Sequence, residues 1–252
     1  MKKKIIGEKI YIFDELPSTM DTSKEMIQRG IEEGTVIMAK YQTKGRGSNN
    51  REWVSNGDDA LFSIILDTDP SKVNLLPIIT AYSILVTLKN QTRKKINIKW
   101  PNDVLIDGKK ISGVLIENLI VGKFSKTIVG VGININSSHK DSKNFIYPSI
   151  SLKEIINKKT NVLEILENFI KNFNVFYKKL LIEEIDLGII NKNLYGLGKK
   201  IEFRTNYVEK QNKTISNIYK IISLNYDGTL KVSNLHGEYL DLSSSEITTN
   251  SN

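Results

Sequence analysis

Cysteine is absent from the 252 residues, which removes disulfides, thiolate nucleophiles, thiolate zinc sites and iron–sulfur clusters together. Histidine is almost as scarce. His139 and His236 are the only two, both in polar surroundings, and H-E-x-x-H does not occur, so no histidine-built metal cage is expected. No apolar run reaches the roughly 18 residues that suggest a membrane span. The basic start, MKKKIIGEKIYIFDE, is interrupted by Glu8, Asp14 and Glu15 before an apolar region of signal-peptide length can form. A Walker A loop, G-x-x-x-x-G-K-[ST], is missing throughout, as are internal repeats and long Pro- or Gly-rich linkers. The expectation is a cytoplasmic chain with no membrane partner.

What is present is ordinary globular composition, with 40% hydrophobic and 25% charged residues. Thirty-six Lys and Arg against 28 Asp and Glu give a formal charge of +8. That balance favours anionic partners such as nucleotides, phosphates, nucleic acid or an acidic protein, although a Lys-, Asn- and Ile-rich composition produces it without function.

Apolar patterning predicts strands at Val36–Tyr41 and Leu61–Leu66, separated by the polar, glycine-containing stretch Thr43–Asp59. A long polar loop between buried strands is functional or disordered. A helix is expected over Leu75–Leu88, with Pro77 tolerable in its first turn, and a second over Leu163–Leu181 with Leu166, Phe169, Ile170, Phe173, Phe176, Tyr177 and Leu180 on one face. Strands are expected at Ile96–Trp100, Val104–Ile106, Ser112–Ile116 and Thr127–Ile135, with Asp107-Gly108 as a hairpin turn. After Gly196-Leu197-Gly198 the period changes to short alternating strands: Lys200–Arg204, Ile218–Leu224, Thr229–Val232 and Glu238–Leu242. Gln211-Asn212, Asp227-Gly228 and His236-Gly237 mark turns between them. This predicts a small β-barrel after a larger α/β body, with the last ten residues fraying.

Three segments carry chemistry. In Lys44-Gly45-Arg46-Gly47-Ser48-Asn49-Asn50-Arg51-Glu52-Trp53, glycines admit backbone N–H groups close to an anion, Arg46 can fork onto a carboxylate or phosphate, and Trp53 can stack on a base. A flexible basic loop is the plainer reading. In Lys99-Trp100-Pro101-Asn102-Asp103 through Glu117, Pro101 ends one strand and Asn102-Asp103 turns the chain. Alternation sends Lys110 and Lys109 to opposite faces, so one lysine can enter a pocket while Gly113 leaves room for a ligand. A hairpin with a charged tip would look the same. In Gly130-Val131-Gly132-Ile133-Asn134-Ile135-Asn136, Asn134 is a polar exception that is bonded within the core or faces a ligand.

These residues together resemble the biotin protein ligases. The glycine–arginine loop ending in Trp53, Lys99-Trp100-Pro101-Asn102-Asp103, the K-x-x-G-x-L-x-E stretch of Lys110, Gly113, Leu115 and Glu117, and the G-x-G-I-N strand occur in that family's order. Ser18-Thr19 at a helix entry matches its S-T-N segment, with Met20 where asparagine is usual. The resemblance covers about residues 10–247. It implies an α+β fold, a mixed β-sheet with packed helices like the class II aminoacyl-tRNA synthetases and biotinyl–lipoyl ligases. Residues 1–195 would form the catalytic domain and 196–252 an SH3-like barrel.

The implied activity is activation of biotin by ATP and Mg2+ to biotinyl-5′-AMP, then transfer to a lysine of a biotin carboxyl carrier protein domain. Lys110 and Arg46 are the implied catalytic cations. Ser18, Thr19, Met20, Gln42, Gly45, Arg46, Gly47, Ser48, Lys110 and Gly113 are the implied biotin contacts. Arg51, Trp53, Asn102, Asp103 and Asn134 are implied around ATP, Trp53 stacking on adenine and Asp103 near the metal. A 43–59 loop would close over the adenylate, its order without ligand being left open by the sequence. One departure concerns Ser48, where the family usually carries a second arginine that helps retain the adenylate; weaker retention follows unless Lys44 or Arg51 compensates.

Only 17 residues precede Ser18, too few for the winged helix-turn-helix of repressing relatives, so no DNA-binding domain is expected. Two alternatives remain in view: a lipoate–protein ligase, and a non-catalytic nucleic-acid-binding module using the basic surface. Oligomeric state stays open, a homodimer paired through Thr127–Ile135 being the alternative to burial of that strand.

Overall fold

Runs of aliphatic and β-branched residues build the larger of two sheets in a computed structural model of the chain, which describes residues 5–48, 51–55, 58–121, 124–138, 148–205, 218–244 and 247–249. Seven strands, β1 (Ile10–Leu16), β2 (Val36–Gln42), β3 (Ala60–Leu66), β4 (Ile96–Lys99), β5 (Asp103–Ile106), β6 (Lys109–Val121) and β7 (Phe124–Ile133), lie in the order β1-β2-β3-β7-β6-β5-β4. β1 and β2 are parallel and the other neighbours antiparallel, so the sheet is mixed. The Asp107-Gly108 turn joins β5 to β6 with positive φ at both residues (49° and 79°), the tight hairpin its sequence predicts.

Helices cover both faces. α1 (Thr19–Gln28) seals one face over Ile37, Ile65 and Ile128, with Met20 and Ile27 inward. On the other face α2 (Leu76–Lys89) and α4 (Val162–Leu181) enclose the main core. The α4 stripe is buried as its spacing predicts except for the half-buried Phe176; Phe169, Phe173 and Tyr177 stack in series, with Phe62 tilted against Phe169, ring centroids 5.0–5.7 Å apart. The short helices α3 (Leu152–Ile156) and α5 (Leu187–Asn191) complete the body.

Some expectations change. The Leu75–Leu88 helix is preceded by a 3₁₀ turn over Pro70–Leu75, and an 18-residue window within Pro70–Lys89 has a mean hydropathy of 1.4, long and apolar enough to cross a membrane. Two-thirds of it is buried in the fold, the setting of a core helix. Ser112–Ile116 and Thr127–Ile135 fall within one long hairpin, and β7 lies between β3 and β6, so that strand is covered and offers no edge for dimer pairing.

A second sheet is antiparallel: β8 (Lys200–Thr205), β9 (Ile218–Leu224), β10 (Leu230–Ser233), β11 (Tyr239–Leu242) and β12 (Ile247–Thr249), ordered β11-β10-β9-β8-β12. β12 belongs to the stretch expected to fray. Its β-branched residues pair with β8 instead. The Gln211-Asn212 turn lies outside the described residues. The two sheets share one apolar core, in which Phe203, Tyr219 and Leu230 join Ile98 and Leu194. Trp100 Nε1 donates to the Gly228 carbonyl at 3.0 Å across the junction. Gly228 has φ +83°, and a methyl there would stand 2.6 Å from the Asn74 carbonyl oxygen, so only glycine fits that contact.

Candidate active site

The site forms where α1 begins, where the Thr43–Asp59 loop folds back, and where β6 and β7 run side by side. Ser18 is the N-cap residue of α1, and its side chain makes no cap bond. Gln42, at the end of β2, serves the helix instead: its Oε1 accepts the Thr19 N–H at 2.8 Å. Thr19 Oγ1 accepts from Ser63 Oγ at 2.7 Å. Ser18, Thr19 and Met20 are thereby buried in fixed positions against the sheet.

The loop, whose order the sequence leaves open, is folded over its described part. Gly47 N–H donates to the Arg51 carbonyl at 2.7 Å, Trp53 N–H donates to the Gly45 carbonyl at 2.9 Å, and Arg46 bridges to Glu52. Gly45 is required by this turn, since a Cβ there would stand 2.6 Å from the Trp53 carbonyl oxygen.

Lys110 and Gly113 are three residues apart and would face opposite sides of a regular strand. Pairing with β5 slips between Leu105↔Lys110 and Val104↔Ser112, leaving Ile111 as a bulged residue. The bulge puts Lys110 and Gly113 on one face, and a Cβ on Gly113 would meet Lys110 Nζ at 3.0 Å. Lys109 stays exposed, as alternation predicts. Gly113 pairs with Gly132, and on this bare floor lies Trp53: a Cβ on Gly132 would stand 2.5 Å from its Cε2 and Cζ2. Lys110 Nζ sits 5.7 Å from the Trp53 ring centroid. Trp53 Nε1 is buried without a hydrogen-bond partner. Trp53, expected on adenine, thus occupies the glycine floor.

Around this floor is a cavity of about 50 Å3 lined by Ser18, Thr19, Met20, Gln42, Arg46, Gly47, Ser48, Trp53, Asn102, Lys110 and Gly113 from the sequence-derived set. Val114, Leu115, Gly130, Val131 and Gly132 also line it, residues to which the sequence reading gave no contact with a ligand. Strand alternation was the usable signal for the two glycines, because Gly130 and Gly132 share a face with Asn134. Asn134 itself, 5% exposed, is not among the lining residues; its amide donates to the Ile150 carbonyl at 3.2 Å, the core-bonded alternative.

The cations are matched by carboxylates. Arg46 donates to Glu117 through Nε and Nη2, both at 3.2 Å, and to Asp21 through Nη1 at 2.7 Å. Burial opposes the Arg46 charge, but these bonds outweigh it and raise its pKa; Glu117, half-buried yet bonded by Arg46 and Lys24, is held below the usual carboxylate range. Lys110 Nζ lies 2.6 Å from Asp103 Oδ1. Asp103 and Lys99 line two larger cavities, of about 640 and 500 Å3, with Lys110 on the first and Arg51 and Asn102 on the second. Burial, joined by Lys110 and Arg51, lowers the Lys99 pKa against the pull of Asp103. Arg51 donates to both the carbonyl and the Oγ of Ser48, at 3.1 and 3.2 Å. His236 is exposed in a turn, as expected, and His139 lies outside the described residues.

Residues 12–134 match the model of the biotin/lipoate A/B protein ligase family. The chain carries a domain of that family. It is 28% identical over 242 residues to the bifunctional ligase/repressor BirA of Bacillus subtilis, covering 87% of this chain and 74% of that one. It is 28% identical over 128 residues to the biotin–[acetyl-CoA-carboxylase] ligase of Paracoccus denitrificans, covering 48% and 53%. Its structure resembles that of the biotin protein ligase from Aquifex aeolicus in complex with biotin and ATP, with a TM-score of 0.81, 27% identity and coverage of 97% and 100%. The correspondence with that ligase extends along nearly the whole of both chains.

Proposed function

We propose that this chain is an ATP-dependent biotin protein ligase. The observation that carries the reading is the meeting of Ser18–Met20, Gln42, the Arg46 loop, Lys110 and Gly113 around one cavity in a fold that matches a biotin- and ATP-bound ligase along its length. The biotin carboxylate attacks the α-phosphorus of ATP and pyrophosphate leaves. The amine of a carrier lysine then attacks the acyl carbon of biotinyl-5′-AMP and AMP leaves.

The chemistry brings two anions together, so it needs cations and positioning more than a nucleophile. Lys110, released from Asp103, spans the biotin carboxylate and the α-phosphate. Arg46, braced by Asp21 and Glu117, orders the loop beside them. The biotin ring system takes the floor of Gly113 and Gly132 once Trp53 vacates it, and the indole then stacks on adenine. Asn102 and Arg51 face the nucleotide, with Asn134 at the far end of the same strand face. Arg51, held by Ser48, supplies the charge that the family's second arginine provides elsewhere.

Among the described residues no three His, Asp or Glu gather as a metal site. A single carboxylate with phosphate oxygens is nonetheless a donor set that Mg2+ accepts, so Asp103 fits a metal arriving with the nucleotide. When bound it neutralises phosphate charge.

The acceptor is a biotin carboxyl carrier protein domain. The catalytic unit is residues 1–195, the second sheet belongs to an SH3-like barrel over 196–252, and the setting is the cytoplasm. The test is pyrophosphate release from ATP with biotin, with lipoate and with neither. Release with biotin only is expected. Release with lipoate only would move the chain to the lipoate branch, and none from a folded sample would refute the reading. Lys110→Ala is expected to abolish biotin-dependent release while leaving the melting temperature within a few degrees.

A further inference from the structure

We propose that Met20 determines which ring systems the site accepts, and that its thioether admits acids whose sulfur-containing ring is open, desthiobiotin being the simplest, beside biotin itself. The inference rests on the ligase reading and names the substrate range of that site. The reaction is the same for both acids: a carboxylate oxygen bonds to the α-phosphorus of ATP and pyrophosphate leaves.

The sheet sets the order of the groups. Gly130 and Gly132 share a face of β7, opposite Leu115 and Gly113 of β6. Lys110 Nζ stands over Gly113 at one end of this floor. Met20 stands over Gly130 at the other, where a Cβ would lie 2.5 Å from its Sδ and 3.1 Å from its Cγ. Alternate residues of a strand are about 7 Å apart, so the two rows are neighbours. An acid whose carboxylate meets Lys110 therefore carries its ring end toward Met20, which lines the same cavity.

The walls at that end differ in how far they can yield. Gln42 Oε1 accepts the Thr19 N–H at 2.8 Å, and Thr19 Oγ1 accepts from Ser63 Oγ at 2.7 Å, so these polar groups are fixed by one another. Met20, 4% exposed, is held by packing in a cluster with Ile27, Ile37, Ile65 and Ile128. An unbranched thioether turns about several bonds and fills an irregular gap at little cost. Opening the ring of biotin replaces its sulfur bridge by two hydrogens, which changes the outline at this wall and leaves the ureido group and the carboxylate in place. A stiff side chain fits one outline; the thioether can follow both.

Steady-state pyrophosphate release with biotin and with desthiobiotin tests the proposal. In the wild type kcat/KM for desthiobiotin is expected within about tenfold of that for biotin. Met20→Ile places a β-branched side chain, confined to one rotamer in a helix, at the same wall, and should lower kcat/KM for desthiobiotin about tenfold more than for biotin. Met20 is remote from the reacting carboxylate, so the loss is expected in KM rather than in kcat. Met20→Leu, unbranched at Cβ, should recover most of the tolerance. Gly130→Ala gives the thioether a methyl to avoid and should shift the preference in the same direction as Met20→Ile, with thermal melting confirming that each variant folds. A larger wild-type preference for biotin would overturn the proposal, as would equal losses for the two acids or losses confined to kcat. No release with biotin from the wild type would overturn the ligase reading and this inference with it, whereas normal release with an unchanged preference in the variants would overturn this inference alone.

Discussion

Gly132→Ala tests the site where it has least slack. The new methyl would stand 2.5 Å from Cε2 and Cζ2 of Trp53 and 3.0 Å from Cδ2. Carbon atoms in contact sit about 3.5–4.0 Å apart, so the indole must retreat by about 1 Å, and a rigid ring moves as a whole. The strand cannot yield in its place, because Gly132 pairs with Gly113 and its carbonyl accepts Ser112 Oγ at 2.6 Å. Overpacking of this kind costs about 1–3 kcal/mol; against the indole it falls on the ligand-free state, and against the biotin rings that replace the indole it is lost binding of about 5- to 150-fold. The methyl also raises the floor on which the biotin rings are proposed to lie. Biotin-dependent pyrophosphate release should therefore fall by that range in kcat/KM for biotin. Gly130→Ala is the control. Its methyl meets Met20, at 2.5 Å from Sδ and 3.1 Å from Cγ, and an unbranched thioether can swing away, so the loss should be several-fold at most. Wild-type kinetics for Gly132→Ala, or a larger loss for Gly130→Ala, would refute the reasoning.

Other consequences are open to measurement. Asp59 Oδ1 accepts N–H groups from Ile135, Asn136 and Ser137 at 2.7, 3.1 and 3.2 Å, yet burial dominates and raises its pKa. A folded-state value above the unfolded one of about 4 means that its proton-linked stabilisation is full below that pH and lost as pH rises through the folded value. Asp59→Asn, which keeps the acceptor but cannot titrate, should gain on the wild type as urea denaturation is repeated from pH 3.5 upward to about pH 7; a constant difference would show the account to be wrong. Trp100→Phe loses the bond to Gly228 across the sheet junction and should cost about 1–3 kcal/mol in chemical denaturation. Arg51→Ala should speed release of biotinyl-5′-AMP by about 10- to 150-fold, the loss of one charge-assisted bond worth about 1.5–3 kcal/mol. Stopped-flow release unchanged in that variant would remove Arg51 from adenylate retention.

Local chemistry made much of this chain legible. The α4 stripe follows from helical spacing, the Asp107-Gly108 hairpin from two residues that tolerate positive φ, and the opposed exposure of Lys109 and Lys110 from strand alternation. The ordered motifs contain Arg46, Gly47, Ser48, Trp53, Asn102, Lys110 and Gly113 of the residues that line the central cavity. β1 escaped notice because an edge strand exposed on both faces carries no clean alternation, and β12 because three residues at a polar chain end signal little until β8 is there to pair with them. The bulge at Ile111 depends on a register chosen by β5, and without it Lys110 and Gly113 part to opposite faces. The facing of Gly113 with Gly132, the seat of Trp53 upon them, and the choice of Asp21 and Glu117 as partners for Arg46 all join segments far apart in the chain. Spacing along a strand or helix states which residues share a face; what stands opposite that face is decided by how distant segments pack.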